Sequence, residues 1–182
     1  MTDNQGLFPL LLGSEWQLLS TPVQRMHGHA ERLVAKGVAD VGGSPHWIVR
    51  LLRRQLGLPM PGPQQAVEVT IERRGTHERW TRQFASRRMR STLRPATRAP
   101  FLSEQLGITT LRFALIRDHD AIDWQWRGAR LFGLPVPRFF FGKVMARCAS
   151  ENGRYTFEID TRLPLLGQLV AYRGWLEIID ES

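Results

Sequence analysis

Three short groups in this 182-residue chain carry side chains suited to chemistry. His27-Gly28-His29 offers two imidazoles, but a zinc site needs three or four ligands at a recognisable spacing. No third ligand accompanies them, so no metal is expected. Asp118-His119-Asp120 sets an acid beside an imidazole as an orienting carboxylate would. It also separates two alternating runs, and reads more simply as a hairpin turn. Cys148 falls on the apolar side of its segment with Val144 and Ala146, the setting of a buried, inert thiol. As the only cysteine it allows no intramolecular disulfide, which points to a reducing compartment, the cytoplasm. There is no nucleophile elbow, phosphate-cradling loop or dinucleotide fingerprint, so no cofactor is expected.

Two constellations survive that comparison. Arg82 shares a strand face with Trp80 and Phe84; turned inward, its guanidinium needs an anion. Glu104, just after Phe101-Leu102, is the nearest unexplained carboxylate. An interior Arg82–Glu104 pair would either hold the sheet together or mark the polar end of a pocket. Asp40, among Val34 and Val38, is a weaker candidate of the same kind. The second constellation is aromatic: Trp80, Trp124, Trp126, Tyr155, Phe157 and Tyr172 all fall on the apolar sides of their segments. Such rings commonly fill a core. The alternative is an apolar pocket with a few polar anchors, formed by Trp80, Arg82, Phe84, Glu104, Trp124, Trp126 and Tyr172. The leading expectation is a binder of a hydrophobic or amphipathic small molecule of lipid, isoprenoid or polyketide type. A cofactor-independent cyclase, isomerase or dehydratase, with Glu104, Asp40 or Tyr172 as acid or base, would use the same pocket. The two read identically in sequence.

Charge adds a third reading. Residues 73–98 hold nine arginines and one acid, Glu78, which equals the whole formal excess of +8. The rest of the chain is neutral. A localised field implies a localised anionic partner, with Arg87, Arg88, Arg90 and Arg94 as the contact residues. Nucleic acid is disfavoured, because Trp80 and Phe84 share a face with Met89 and Leu93 while Arg88, Arg90 and Arg94 lie opposite. Peripheral contact with anionic lipid, or cross-strand pairing to Glu158 and Asp160, fits better. The apolar run Leu7–Leu12, interrupted by Pro9, is too short for a membrane span.

The elements that must position these residues follow from periodicity. Leu7–Leu19 and Pro22–His27 predict two short helices, so residues 1–28 read as a helical arm on a single domain covering 1–182. Arg32–Val41 predicts a strand. A helix over about 45–56 follows, with Ile48, Leu51, Leu52 and Leu56 apolar and Arg50, Arg53 and Arg54 outward. After Pro63 the period becomes two and stays there, predicting half-buried antiparallel strands, so that 31–180 reads as a curved sheet with an inserted helix. About nine strands form a strongly curved sheet or partial barrel, with the helix packed on its concave face. The class is α+β, mainly antiparallel β.

Trp80-x-Arg82-x-Phe84, Glu104, Gly133-Leu134-Pro135-x-Pro137, Gly153-Arg154-x-x-Phe157, Pro164-Leu165-x-Gly167 and Tyr172-Arg173-Gly174-Trp175-Leu176 together resemble a known set of motifs. They are those of the bacterial family catalogued as domain of unknown function four-one-six-six, and the likeness runs from about Leu7 to Glu177. The resemblance implies a domain that stands alone or follows a module resembling saccharopine dehydrogenase. An oxidoreductase is therefore the implied protein partner. It supplies no catalytic residues.

Overall fold

The computed structural model describes residues 6–85, 87–97 and 100–182; Arg98 of the cationic run lies outside them. Alternation builds most of the molecule. β1 (Arg32–Gly42), β2 (Gly62–Arg74), β3 (His77–Phe84), β4 (Arg88–Pro95), β5 (Leu102–Leu106), β6 (Thr109–Asp118) and β7 (Ala121–Leu131) pair in sequence, each antiparallel to the last. A three-residue β8 (Leu134–Val136) precedes β9 (Lys143–Glu151), β10 (Arg154–Leu163) and β11 (Gly167–Glu181). β11 returns to pair with β1, and β7 pairs with both β6 and β9, so the ring closes.

The expected strongly curved sheet or partial barrel of about nine strands is thus corrected to a closed barrel of ten, with β8 attached outside it. The missed strand is β5, five residues with buried Leu102, Ser103 and Glu104 in succession and no alternation to reveal it. Closure pairs the backbone groups that an open edge would expose. It also requires a sharp corner, which lies between β1 and β11. A side chain at inward-facing Gly37 would run into the Trp175 carbonyl, and one at Gly174 into that of Val38. Only hydrogen fits where two backbones approach so closely.

The ten strands leave two ends. At the floor, α1 (Leu7–Leu12), a 3₁₀ helix (Gly13–Leu18) and α2 (Thr21–His27) pack across the opening. Leu7, Phe8, Leu12, Trp16, Leu19, Val23, Met26 and His27 are all buried there. The mouth lies at the opposite end, bordered by the connections 43–61, 107–108, 132–142 and 164–166 and by the described residues 85 and 87 of the β3–β4 connection. α3 (Trp47–Gln55) sits on it, capped by His46 Nδ1, which accepts from the Ile48 N–H at 3.3 Å.

Because the barrel is closed, α3 does not lie on a concave face but at the end of the ring, against β11. Its buried face is also rotated from the predicted one. Val49 and Arg53 are buried, while Leu51 is exposed. Arg53 can turn inward because its Nη1 reaches the Leu169 carbonyl at 3.4 Å over Gly43. A Cβ at Gly43 would lie 3.0 Å from Arg53 Cζ and closer still to Nη1, so a side chain there would displace the guanidinium.

Candidate functional site

Side chains from nine of the ten barrel strands, all but β1, surround a cavity of about 180 Å³. Aliphatic and aromatic side chains dominate its walls, among them Val67, Val69, Met89, Leu111, Phe113 and Phe157. Leu56 and Leu58, from the α3 connection, and Phe141, from the other long connection, line it at the mouth. Trp80, Arg82, Phe84, Glu104, Trp124 and Tyr172 all border the same space. Trp126 does not. Its ring sits 5.0 Å from Phe141 with the Arg138 guanidinium 5.8 Å above, so Phe141 stands between it and the interior. Trp126 keeps the parity of Trp124, opposite Phe113, and the register shift falls just beyond it, at Arg127.

The cavity's polar group is an ion pair. Arg82 lies 4.8 Å from the Trp80 ring centroid, donates from Nη1 to Ser91 Oγ at 2.9 Å and from Nη2 to Glu104 Oε1 at 3.4 Å. Both charged side chains are 11% exposed, and their charges cancel locally. Tyr172 borders the same space. Burial raises its pKa, the Arg82 charge opposes that, and Glu104 adds to it. It is therefore a hydrogen-bond donor at neutral pH and not a base. Asp40 is absent from this site: it faces outward and accepts from the Gln64 backbone N–H at 2.9 Å.

Below the cavity lies a second polar group that the sequence reading passed over. Arg73 and Glu78 fall on the inward parity of β2 and β3, with side chains 3% and 0% exposed. Glu78 accepts from Arg73 Nε at 3.2 Å and from the Trp80 indole at 2.7 Å. Burial pushes its pKa up, and the arginine and indole oppose the shift. Arg73 also donates to the Met26 carbonyl at 2.5 Å and the Ala30 carbonyl at 2.8 Å, which ties the N-terminal helices to the barrel. Strand parity carried the signal: Arg73 continues Val69 and Ile71, and Glu78 precedes Trp80 by two. Counting both in a solvent-facing run hid it.

His27 completes the floor. Its ring stacks on Trp80 and packs at a tilt against Phe8, and Nε2 lies 3.0 Å from the Tyr155 hydroxyl. Burial, with the charges of Arg73 and Arg82, holds its pKa well below 6.5. His29 accepts instead from the Gly6 N–H at 3.4 Å, so the two imidazoles have unrelated surroundings. Cys148 is buried against the Ile122 carbonyl with its pKa raised to about 11, too high for a thiolate at neutral pH. Asp118-His119-Asp120 forms the β6–β7 turn, where Asp118 binds Arg147 at 3.0 Å.

The cationic run is split between environments. Arg88, Arg90 and Arg94 are exposed on the outer wall of β4, while half-buried Arg87 donates to the Arg54 carbonyl at 3.3 Å. Glu158 and Asp160 do not pair with it: Asp160 is held by Lys143, Arg162 and Gln168, and Glu158 lies opposite Arg147 and Arg173. No described helix is long and apolar enough to cross a membrane.

A family model matches residues 19–176, from the residue before Ser20 and α2 almost to the end of β11; its description is a domain of unknown function, DUF4166. No curated protein matches the chain.

Proposed function

The chain belongs to the DUF4166 family of domains of unknown function, and from that premise we propose that its barrel binds a compact, largely apolar molecule through a neutral hydroxyl or carbonyl group. The observation that carries this reading is an apolar interior cavity whose walls include one locally neutral ion pair, Arg82–Glu104. Arg82 retains unused N–H donors, Glu104 retains an acceptor oxygen, and Tyr172 adds a hydroxyl. Together they suit a group that both donates and accepts. A ligand carboxylate would bring its charge beside Glu104, which disfavours it.

Size sets a further bound. The cavity's 180 Å³ is below the roughly 300–1,000 Å³ of usual small-molecule sites. Compact ligands fit the closed form; longer acyl chains require Phe141, Leu56 or Leu58 to move.

The test is calorimetric titration with 2-naphthol and with 2-naphthoate. The alcohol should bind saturably and at least about tenfold tighter than the acid, a difference of about 1.4 kcal/mol. Val144→Phe, which fills the upper cavity, should remove binding while leaving the fold intact by circular dichroism. Saturable binding of neither probe, or equal binding to wild type and Val144→Phe, would sink this reading.

A further inference from the structure

The two ends of the barrel differ in a way that the cavity does not require. None of the five connections at the mouth contains Asp or Glu, whereas they contain Arg50, Arg53, Arg54, Arg87 and Arg138. No ion pair among the described residues involves Arg50, Arg54, Arg88 or Arg138. The nearest mouthward acids, Asp40 and Asp160, sit on strands and are already engaged.

The same end carries most of the exposed apolar surface. Of fourteen exposed large hydrophobic residues among those described, ten lie at the mouth, including every exposed aromatic: Trp47, Phe132, Phe139 and Phe140. Trp47, Phe132 and Phe139 are between 69% and 72% exposed. Such concentration marks an interaction site. Both long connections that carry these rings also send side chains into the cavity, Leu56 and Leu58 from one and Phe141 from the other.

We propose that the mouth docks on an anionic lipid bilayer, with the aromatic tips of α3 and of residues 132–140 in the headgroup region and the arginines on lipid phosphates. Exposed rings beside acid-free cationic loops fit a surface that is apolar beneath and negative above. A second copy of the chain would present the same sign of charge, which opposes self-association through this face. The docked orientation sets the cavity opening against the membrane, and displacement of the connections there would admit or release a ligand. That exchange role rests on the cavity being a binding site; the docking does not.

The experiment is vesicle flotation with phosphatidylcholine alone and with phosphatidylglycerol added, for wild type and three paired variants. Wild type should float with the anionic vesicles only. Phe139→Ser with Phe140→Ser should weaken that partition about tenfold, and Arg50→Gln with Arg54→Gln by about fivefold per arginine. Arg90→Gln with Arg94→Gln, on the outer wall, should leave it within about twofold. Flotation that survives the mouth variants, or is lost only in the wall variant, overturns the proposal, as does failure to float at any salt concentration. A concentration-dependent dimer abolished by the mouth variants would overturn it in favour of a self-interface. Naphthol titration separates the two readings: binding without flotation removes docking alone, and flotation without binding removes the pocket alone.

Discussion

The floor and the mouth are built from opposite materials. At the floor, buried rings from the N-terminal helices meet an enclosed ion pair, and the surrounding tips carry Glu15, Glu31, Asp118, Asp120, Glu151 and Glu181. Surface pairs tie it together, Arg117 to Glu15 at 2.5 Å and Arg25 to Glu181 at 2.9 Å. At the mouth there is no acid in the connections, and large side chains point outward. One end concentrates buried rings, an enclosed ion pair and surface pairs. The other keeps exposed apolar surface that contributes little to folding, which is what a surface kept for another molecule looks like. Buried packing and exposed apolar surface are thus concentrated at opposite ends of the barrel axis.

That contrast can be broken most sharply at Glu78. Glu78→Leu leaves the Arg73 guanidinium buried without its carboxylate, and urea unfolding should show a loss of about 3–5 kcal/mol. Adding Arg73→Met should recover part of it, since a matched apolar pair removes the stranded charge. An unchanged midpoint in the single variant would mean that the floor is not the stabilising end.

A pH series sharpens the comparison. The unfolded chain takes up a proton on His27 near pH 6.5, whereas burial keeps the folded imidazole neutral. Stability from this group is therefore full above about pH 7 and falls as pH drops, with a slope approaching about 1.4 kcal/mol per pH unit. His27→Gln should flatten unfolding free energy between pH 7 and 5 relative to wild type. Identical slopes would place the ring in water and refute the closed floor. The smallest effect belongs to the mouth: Phe139→Ser with Phe140→Ser should change stability by no more than about 0.5 kcal/mol per site. A larger loss would show that those rings belong to the core.

Much of the interior was legible because strand parity is strict. Trp80, Arg82 and Phe84 could face inward only together, and Glu104 was the acid left to meet Arg82. Where parity was interrupted, reading failed. β5 has no alternation, and the face of α3 was misassigned because an arginine found a carbonyl no local pattern announces; Trp126 kept its parity but sits behind Phe141, which comes from a connection. Arg73 and Glu78 were visible by parity but were grouped with their neighbours by charge.

What the sequence determined by itself is therefore local: which residues alternate, where turns fall, which side chains share a face, and how the arginines cluster. Closure of the ring, the floor made by the N-terminal helices, and the gathering of five acid-free connections at one end were decided by tertiary structure. Each depends on pairing between residues far apart in the chain, such as β1 with β11, and no local propensity specifies which distant backbone will satisfy a given strand edge.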